Sequence, residues 1–578
     1  MRPFDIYPFN LTRAKMAKAF VLGAIVSAAM AFFLYCFSPA AEAAEAAHKD
    51  LHIGMSQFPS TLHPLFDDMT AKTYVLGMGL RPVTAYDAQW KPVCILCTVL
   101  PSFENHLATR ETLPNGKHGI QATYTIQPKA TWGDGVPVTT KDIIFAWEVG
   151  KNPKSGVTDA DFFTKDISSI TAIDDKSFTI HFSKEACDFA SIDSFYALPE
   201  HLEQKIFEKD PATYLSRTLY NTDPTNPGLY WGPYKISKVD AGTAITLDRN
   251  PTWYGAAPTF NTITVKAIEN SAALSANLLS GDIDYIAGEL GLSLDQALAF
   301  QKRLPDTFRT VFKPSLTYEH IDLNLDQPAF RDLRVRQALM YAMDRDSLNK
   351  TLFGGKQPVA ATFVNPLDTV YDKNVRSYAF DPARAAQLLD EAGWKKTTDG
   401  SRADATGQKL AFTLSTTAGN KSRETIQQAL QSDWKKLGID VKIENQPPRV
   451  LFGDTLRERK FTGGVMYAWM SAPKSIPKTT LHSSMIPSGA NNHAGQNYAG
   501  YTNKNVDKII ENLETVCEPK ANQALWNKLQ GIYADEVPAL PLYYRVDSFF
   551  IPRWLTGITP TGHMHPTTLW IENWGVTG

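Results

Sequence analysis

The stretch Thr131–Trp147, TWGDGVPVTTKDIIFAW, carries the reading that decides the fold. Gly133 and the pair Asp134-Gly135 are turn residues, because glycine reaches positive φ without steric cost. Pro137 then fixes an extended residue. Thr139 or Thr140 offers a side-chain oxygen to the free N–H groups of a helix expected over Lys141–Val149. Asp142 is favourable near the positive end of that helix. The residues alone describe a strand end, a tight turn and a capped helix.

The rest of the chain limits where such a unit can sit. At 578 residues it exceeds one simple core, and two or three domains are expected. Hydrophobic content of 43% and charged content of 20% are globular values. A net charge of −2, with lysine and arginine scattered throughout, argues against a nucleic-acid partner. HExxH, GxSxG and P-loop patterns are absent, so no catalytic residue is assigned and a non-enzyme is expected.

Arg2, Arg13, Lys15 and Lys18 precede the apolar run Ala19–Phe37, and the small-residue tract SPAAEAAEAA follows. That order reads as a signal peptide over residues 1–46, with a mature chain from about His48 and Met16 as an alternative start. Because the run is long enough to span a bilayer, a retained anchor is the competing reading. Cys36 follows bulky Tyr35, which does not suit a lipobox. Export permits disulfides among Cys94, Cys97, Cys187 and Cys517, with the pairing left open. For Cys94-Ile-Leu-Cys97, a structural disulfide or two buried thiols is favoured over a redox pair or half a metal site, since no second CxxC accompanies it.

Gln121–Ile126 and Ser177–Phe182 alternate polar and apolar residues as half-buried strands do. Gly232–Asn250 reads as two strands joined at Asp240-Ala-Gly242. From about Phe330 the pattern turns helical. Asp381 caps a helix with Pro382 at its first position and Gly393 as its stop. Arg423–Leu437 is a second helix ended by Gly438, leading into the strand IDVKIE. Helices near Val506–Val516 and Asn522–Ala534 precede the buried strand ALPLYY. The chain is mixed α/β, strand-rich first and helix-rich later.

Several blocks follow one another in a telling order: GPYKI (Gly232–Ile236), NPTWYG (Asn250–Gly255), SGDIDY (Ser280–Tyr285) and PAFRDLRVRQALMYAMDRDSL (Pro328–Leu348). After them come FDPARAAQLLDEAGW (Phe380–Trp394), WKKLGIDVKI (Trp434–Ile443) and YADEVPALPLYY (Tyr533–Tyr544). With Thr131–Trp147 they resemble the bacterial family 5 extracellular solute-binding proteins, the peptide- and nickel-type receptors of ABC importers. The likeness runs from Leu51 to Tyr544. Read physically, Val335, Ala338, Leu339 and Ala342 are core positions, Arg334 and Arg336 lie on a solvated or salt-bridged face, and Trp132 packs under its own turn.

The resemblance implies an α/β, two-lobed periplasmic-binding-protein clamshell of class II, the large peptide-binding type, with mixed sheets and an extra subdomain in lobe I. Crossings are expected at Tyr318–Asn324 and Pro538–Tyr544. Lobe I is then 48–317 plus 541–578, and lobe II is 318–540. A ligand touching both walls favours the closed form. The implied protein is a periplasmic monomer without a cofactor, partnered by an ABC permease heterodimer and its ATPases.

In peptide-binding members an acid soon after the cleft tryptophan pairs with the peptide's amino terminus. Trp469 matches that tryptophan, yet Met470, Ser471 and Ala472 follow. A buried ammonium without its carboxylate costs several kcal/mol, so another acid, such as Asp67, Asp68 or Glu319, would have to serve. The ligand contacts implied are Trp469, Tyr467, Ser471, Phe58 from the stretch Phe58–His63, Asn497 from the Asn-rich loop Ser483–Asn503, and His320. His482, His493, His563 and His565 lack metal-ligand spacing and are expected as satisfied surface histidines. The expected cargo is a peptide or peptide-like solute. The alternatives are an oligosaccharide, an opine-like conjugate, a metal chelate or haem, or a membrane-anchored sensor or adhesin on the same scaffold.

Overall fold

A computed structural model describes residues 48–114 and 116–577, so the expected signal peptide lies outside the described residues. The opening stretch folds as a turn and a helix, Thr140–Lys151. Thr139 accepts from the Lys141 N–H at 3.3 Å while its own N–H donates to Asp142 at 2.7 Å, a reciprocal cap. Asp142 also accepts from the Glu200 N–H at 2.9 Å, tying this helix to the next. Gly135 sits at φ 90° in the turn, and Trp132 is fully buried. Next to this helix lies an antiparallel sheet ordered Ala108–Thr112, His118–Thr125, Ser177–Phe182, Ile167–Ala172.

The main sheet has ten strands among the described residues. Its strand order is Asp440–Ile443, Ala411–Ser415, Gly464–Met470, Phe308–Leu323, Ala539–Pro552, Tyr285–Ile286, Asp50–Met55, Thr262–Ala267, Ala244–Arg249 and Tyr234–Asp240. The two long central strands, Phe308–Leu323 and Ala539–Pro552, pair antiparallel, with the register broken between Pro314 and Tyr318. Their outer halves join separately packed cores. One core gathers Tyr74, Trp132, Trp231 and Trp574. The other gathers Leu339, Leu388, Leu430 and Trp434, with a satellite around Ile510 and Trp526. Two lobes therefore share one sheet, and two strands carry the chain between them.

In the second lobe, helix Pro382–Glu391 is capped by Asp381, which accepts from the Arg384 N–H at 2.9 Å. Helix Lys421–Lys436 starts at the cap Asn420 and ends before Gly438, whose φ is 86°. The last two helices, Lys504–Leu513 and Pro519–Glu536, start earlier than periodicity alone indicates, because Asn503 and Glu518 cap them. Arg336 corrects the sequence reading. It is buried and donates to the carbonyls of Phe330 at 2.7 Å, Glu536 at 2.7 Å and Val537 at 3.0 Å. The turn at Val537, with φ 49°, leaves carbonyls that need donors. Arg334 is exposed and salt-bridged to Asp332, as expected of a solvated face.

Candidate functional site

Between the lobes lies a cavity of about 830 Å³. The lobes touch around it: the Gly495 N–H donates to the Thr158 carbonyl at 3.1 Å, and the Asn492 amide to the Lys154 carbonyl at 2.8 Å. Strand Gly464–Met470 forms part of the second-lobe wall and pairs with Phe308–Leu323, placing Trp469 opposite Tyr318 and Tyr467 opposite His320. Trp469 and Ser471 both line the cavity. Trp469 stacks on Tyr498, which also lines it, with centroids 6.0 Å apart and planes 22° from parallel.

The other four expected contacts lie off this wall. Tyr467 is fully buried beneath Trp469 and donates its hydroxyl to Asp322. His320 is buried and stacks on Tyr318 at 4.9 Å, its Nε2 3.5 Å from Asp322. Asn497 is fully buried; its amide donates to the carbonyls of Leu481, His482 and Tyr501, and its oxygen accepts from the Tyr501 N–H. Phe58 packs into the first-lobe core. These groups brace the wall because their polar atoms are already satisfied inside the protein or because they have none. Neighbours reach the cavity instead: Gln57 beside Phe58, and Gln496 and Tyr498 on either side of Asn497.

The first-lobe wall is acidic. Lys72, buried, donates to the carbonyls of Pro64 at 2.9 Å and Phe66 at 2.8 Å, which shapes the loop presenting Asp67 and Asp68. Asp68 accepts from the Gln496 amide of the opposite lobe at 2.5 Å. Burial pushes Asp67 up to about 6, with Lys72 opposing. Asp159 is pushed up to about 7 by burial, opposed by Lys478, and its side chain accepts from the Phe162 N–H at 3.3 Å. Asp193 is pushed up to about 7 by burial and then by Asp188. Sequence reading missed Asp159, Asp193 and Arg457, because nothing in their neighbours marks them as facing a cleft.

Arg457, Lys474 and Lys478 line the opposite side. Among the described residues Arg457 has no carboxylate partner within ion-pairing distance, and it faces the cavity near Asp67. Glu319, the third acid considered for a ligand ammonium, is taken: Arg423 Nε lies 2.7 Å and Arg545 Nε 2.8 Å from its oxygens. Burial alone would raise this carboxyl, but the two guanidiniums hold it at about 2.

His563 and His565 are buried, contrary to the surface expectation, because the segment tucks beneath Tyr86 and Asp87. His563 Nε2 meets the Asp87 carbonyl at 2.8 Å, and His565 Nδ1 accepts from the Tyr86 N–H at 3.2 Å. Burial lowers them to about 4 and about 3, so both are neutral at physiological pH. His482 is also buried, accepting from the Ser484 N–H at 3.1 Å, while His493 edges the cavity. Among the described residues no group of three or more His, Cys, Asp or Glu is placed to hold a metal. Cys94 is disulfide-bonded to Cys97, and Cys187 to Cys517.

Comparison with known proteins places this geometry. The model of the bacterial extracellular solute-binding proteins, family 5 Middle, matches residues 102–490. The oligopeptide-binding protein AppA of Bacillus subtilis (strain 168) is 25% identical over 515 residues, 88% of each chain. The oligopeptide-binding protein of Thermus thermophilus, solved with a pentapeptide, superposes with a TM-score of 0.85 at 27% identity, over 92% of this chain and 96% of that one. B. subtilis AppA, solved with a nonapeptide, gives 0.80 at 24% identity over 92% and 99%. With a family match over more than half its length, two lobes on a shared sheet and a cavity between them, the chain belongs to the family 5 bacterial extracellular solute-binding proteins.

Proposed function

We propose that the protein is the receptor of an ABC importer. It captures a peptide between its lobes outside the cytoplasmic membrane and hands it to a permease driven by ATPases, without catalysing a reaction. The observation that carries this reading is the cavity itself. Its volume of about 830 Å³ falls within the ordinary range of ligand sites. Asp159 and Asp193 on the first-lobe wall, with Arg457 and the Trp469 platform on the second, suit a chain with an ammonium and a carboxylate. The related T. thermophilus protein holds a pentapeptide. Among the described residues no helix is long and apolar enough to cross a membrane.

Within this reading, lobe I is 48–317 with 541–578 and lobe II is 318–540, the hinge being the paired strands Phe308–Leu323 and Ala539–Pro552. Trp469 and Ser471 contact the ligand directly. The ligand ammonium turns toward Asp159 and Asp193 of the first lobe, because no acid follows Trp469 and neither carboxylate is bonded to a lysine or arginine among the described residues. Mass spectrometry of solute released from the purified protein tests the assignment. Peptides are expected; a sugar or metal chelate in their place would overturn it.

A further inference from the structure

Cys187 and Cys517 lie 330 residues apart in sequence, and their disulfide joins the two lobes. Cys187 follows strand Ser177–Phe182 of the first lobe, whereas Cys517 lies between the last two helices of the second. Both line the cavity and both are exposed. The Cys94–Cys97 disulfide spans three residues within one lobe and cannot restrain opening.

The contacts around the cross-lobe pair also span the cleft. The Cys187 N–H donates to the Glu514 carbonyl at 2.8 Å. Lys184 binds Asp166 at 2.6 Å and also Glu514, while Lys478 binds Asp166 at 2.9 Å and Glu514 at 3.0 Å. Lys184 and Asp166 belong to the first lobe, and Lys478 and Glu514 to the second. Four charges of alternating sign thus form a ring across the cleft. The ring is ionic and separates when the lobes part, but the disulfide does not.

We propose that Cys187 and Cys517 form a redox-operated latch over the ligand cavity. The ring brings the two thiols together when the lobes close. Oxidation by a thiol-oxidase-class protein disulfide then forms the Sγ–Sγ bond; the two thiols give up two electrons and two protons, and the oxidant becomes a dithiol. In the latched state the lobes cannot separate and solute exchange stops. A dithiol reductant of the thioredoxin class reverses the step. Its thiolate attacks one sulfur of the pair, a mixed disulfide forms, and its second thiol resolves it, leaving Cys187 and Cys517 reduced.

The test needs no knowledge of the ligand. The purified protein is reduced, dialysed to remove bound solute and divided, and one half is reoxidised. Small-angle scattering is then compared with that of the double variant Cys187→Ser/Cys517→Ser, and peptide mapping reports the cysteine pairing. The reduced protein and the double variant are expected to have a larger radius of gyration than the reoxidised protein. A Cys94→Ser/Cys97→Ser variant is expected to retain that redox response. Equal radii in the reoxidised protein and the Cys187→Ser/Cys517→Ser variant overturn the latch. So does a map in which Cys187 and Cys517 of the reoxidised protein remain unjoined.

Discussion

Replacing Glu319 with Gln removes the charge that holds Arg423 and Arg545 at the hinge. The carboxylate is fully buried, and the side chains of Arg423 and Arg545 are 5% and 27% exposed. Its folded value of about 2, against an ordinary 4.5, corresponds to about 3 kcal/mol at 1.36 kcal/mol per pH unit. Breaking a buried ion pair from one side costs about 3–5 kcal/mol, so two independent routes give similar magnitudes. If roughly 530 residues unfold together with about 2.1 cal/mol/K each, the melting temperature falls by about 3 °C. Because the folded value lies below the unfolded one, this stabilisation is complete above the unfolded value and disappears as pH falls through the folded one. Urea denaturation of wild type and Glu319→Gln at pH 7 and pH 3 measures it. The gap is expected to be about 3 kcal/mol at pH 7 and less than half that at pH 3. A cost below about 1 kcal/mol at pH 7, or a gap that widens in acid, would refute the reasoning.

Other outcomes follow from the same structure. Thr139→Ala removes one half of the reciprocal cap and should cost about 1 kcal/mol by thermal denaturation. Arg336→Met strands several buried carbonyls and should cost about 3 kcal/mol or more, while Arg334→Met stays within about 0.5 kcal/mol; denaturant midpoints separate the two. Trp469→Ala should abolish most of the thermal shift given by a bound peptide, because the ring is the aromatic platform of the cavity wall, and a retained shift would remove Trp469 from the site. Asp159, raised to about 7 by burial, should ionise when a peptide ammonium arrives. Affinity for free-amine peptides should therefore rise from about pH 5 to about pH 8 with proton release, and Asp159→Asn should flatten that rise in titration calorimetry.

Local rules reach far in this chain. The turn at Gly135, the reciprocal cap of Thr139 and Asp142, the Asp381-Pro382 start and the Gly438 stop are interactions among residues a few positions apart, so a sequence reader can see them. The same rules make Val335 and Leu339 core positions, and the ordered blocks identify the family. They do not decide which way a residue faces once distant segments meet. Trp469 reaches the cavity while Tyr467, two positions away in the same strand, is sealed beneath it by Asp322. Asn497 turns inward to tie its own loop, leaving Gln496 and Tyr498 to face the ligand space.

By itself the sequence determined the local units and, through their order, the two-lobed scaffold. The mixed α/β elements follow from patterning and turn chemistry, which act over short separations, and their grouping into two lobes is what the resemblance of the ordered blocks to family 5 implies. Tertiary structure alone decided the chemistry of the cleft. It committed Glu319 to Arg423 and Arg545, left Asp159 and Asp193 without a bonded lysine or arginine among the described residues, buried Arg336 and His565, and brought Cys187 to Cys517. The physical reason is that charge pairing, desolvation and cross-linking depend on distances between groups hundreds of residues apart, and those distances are set only when the lobes pack.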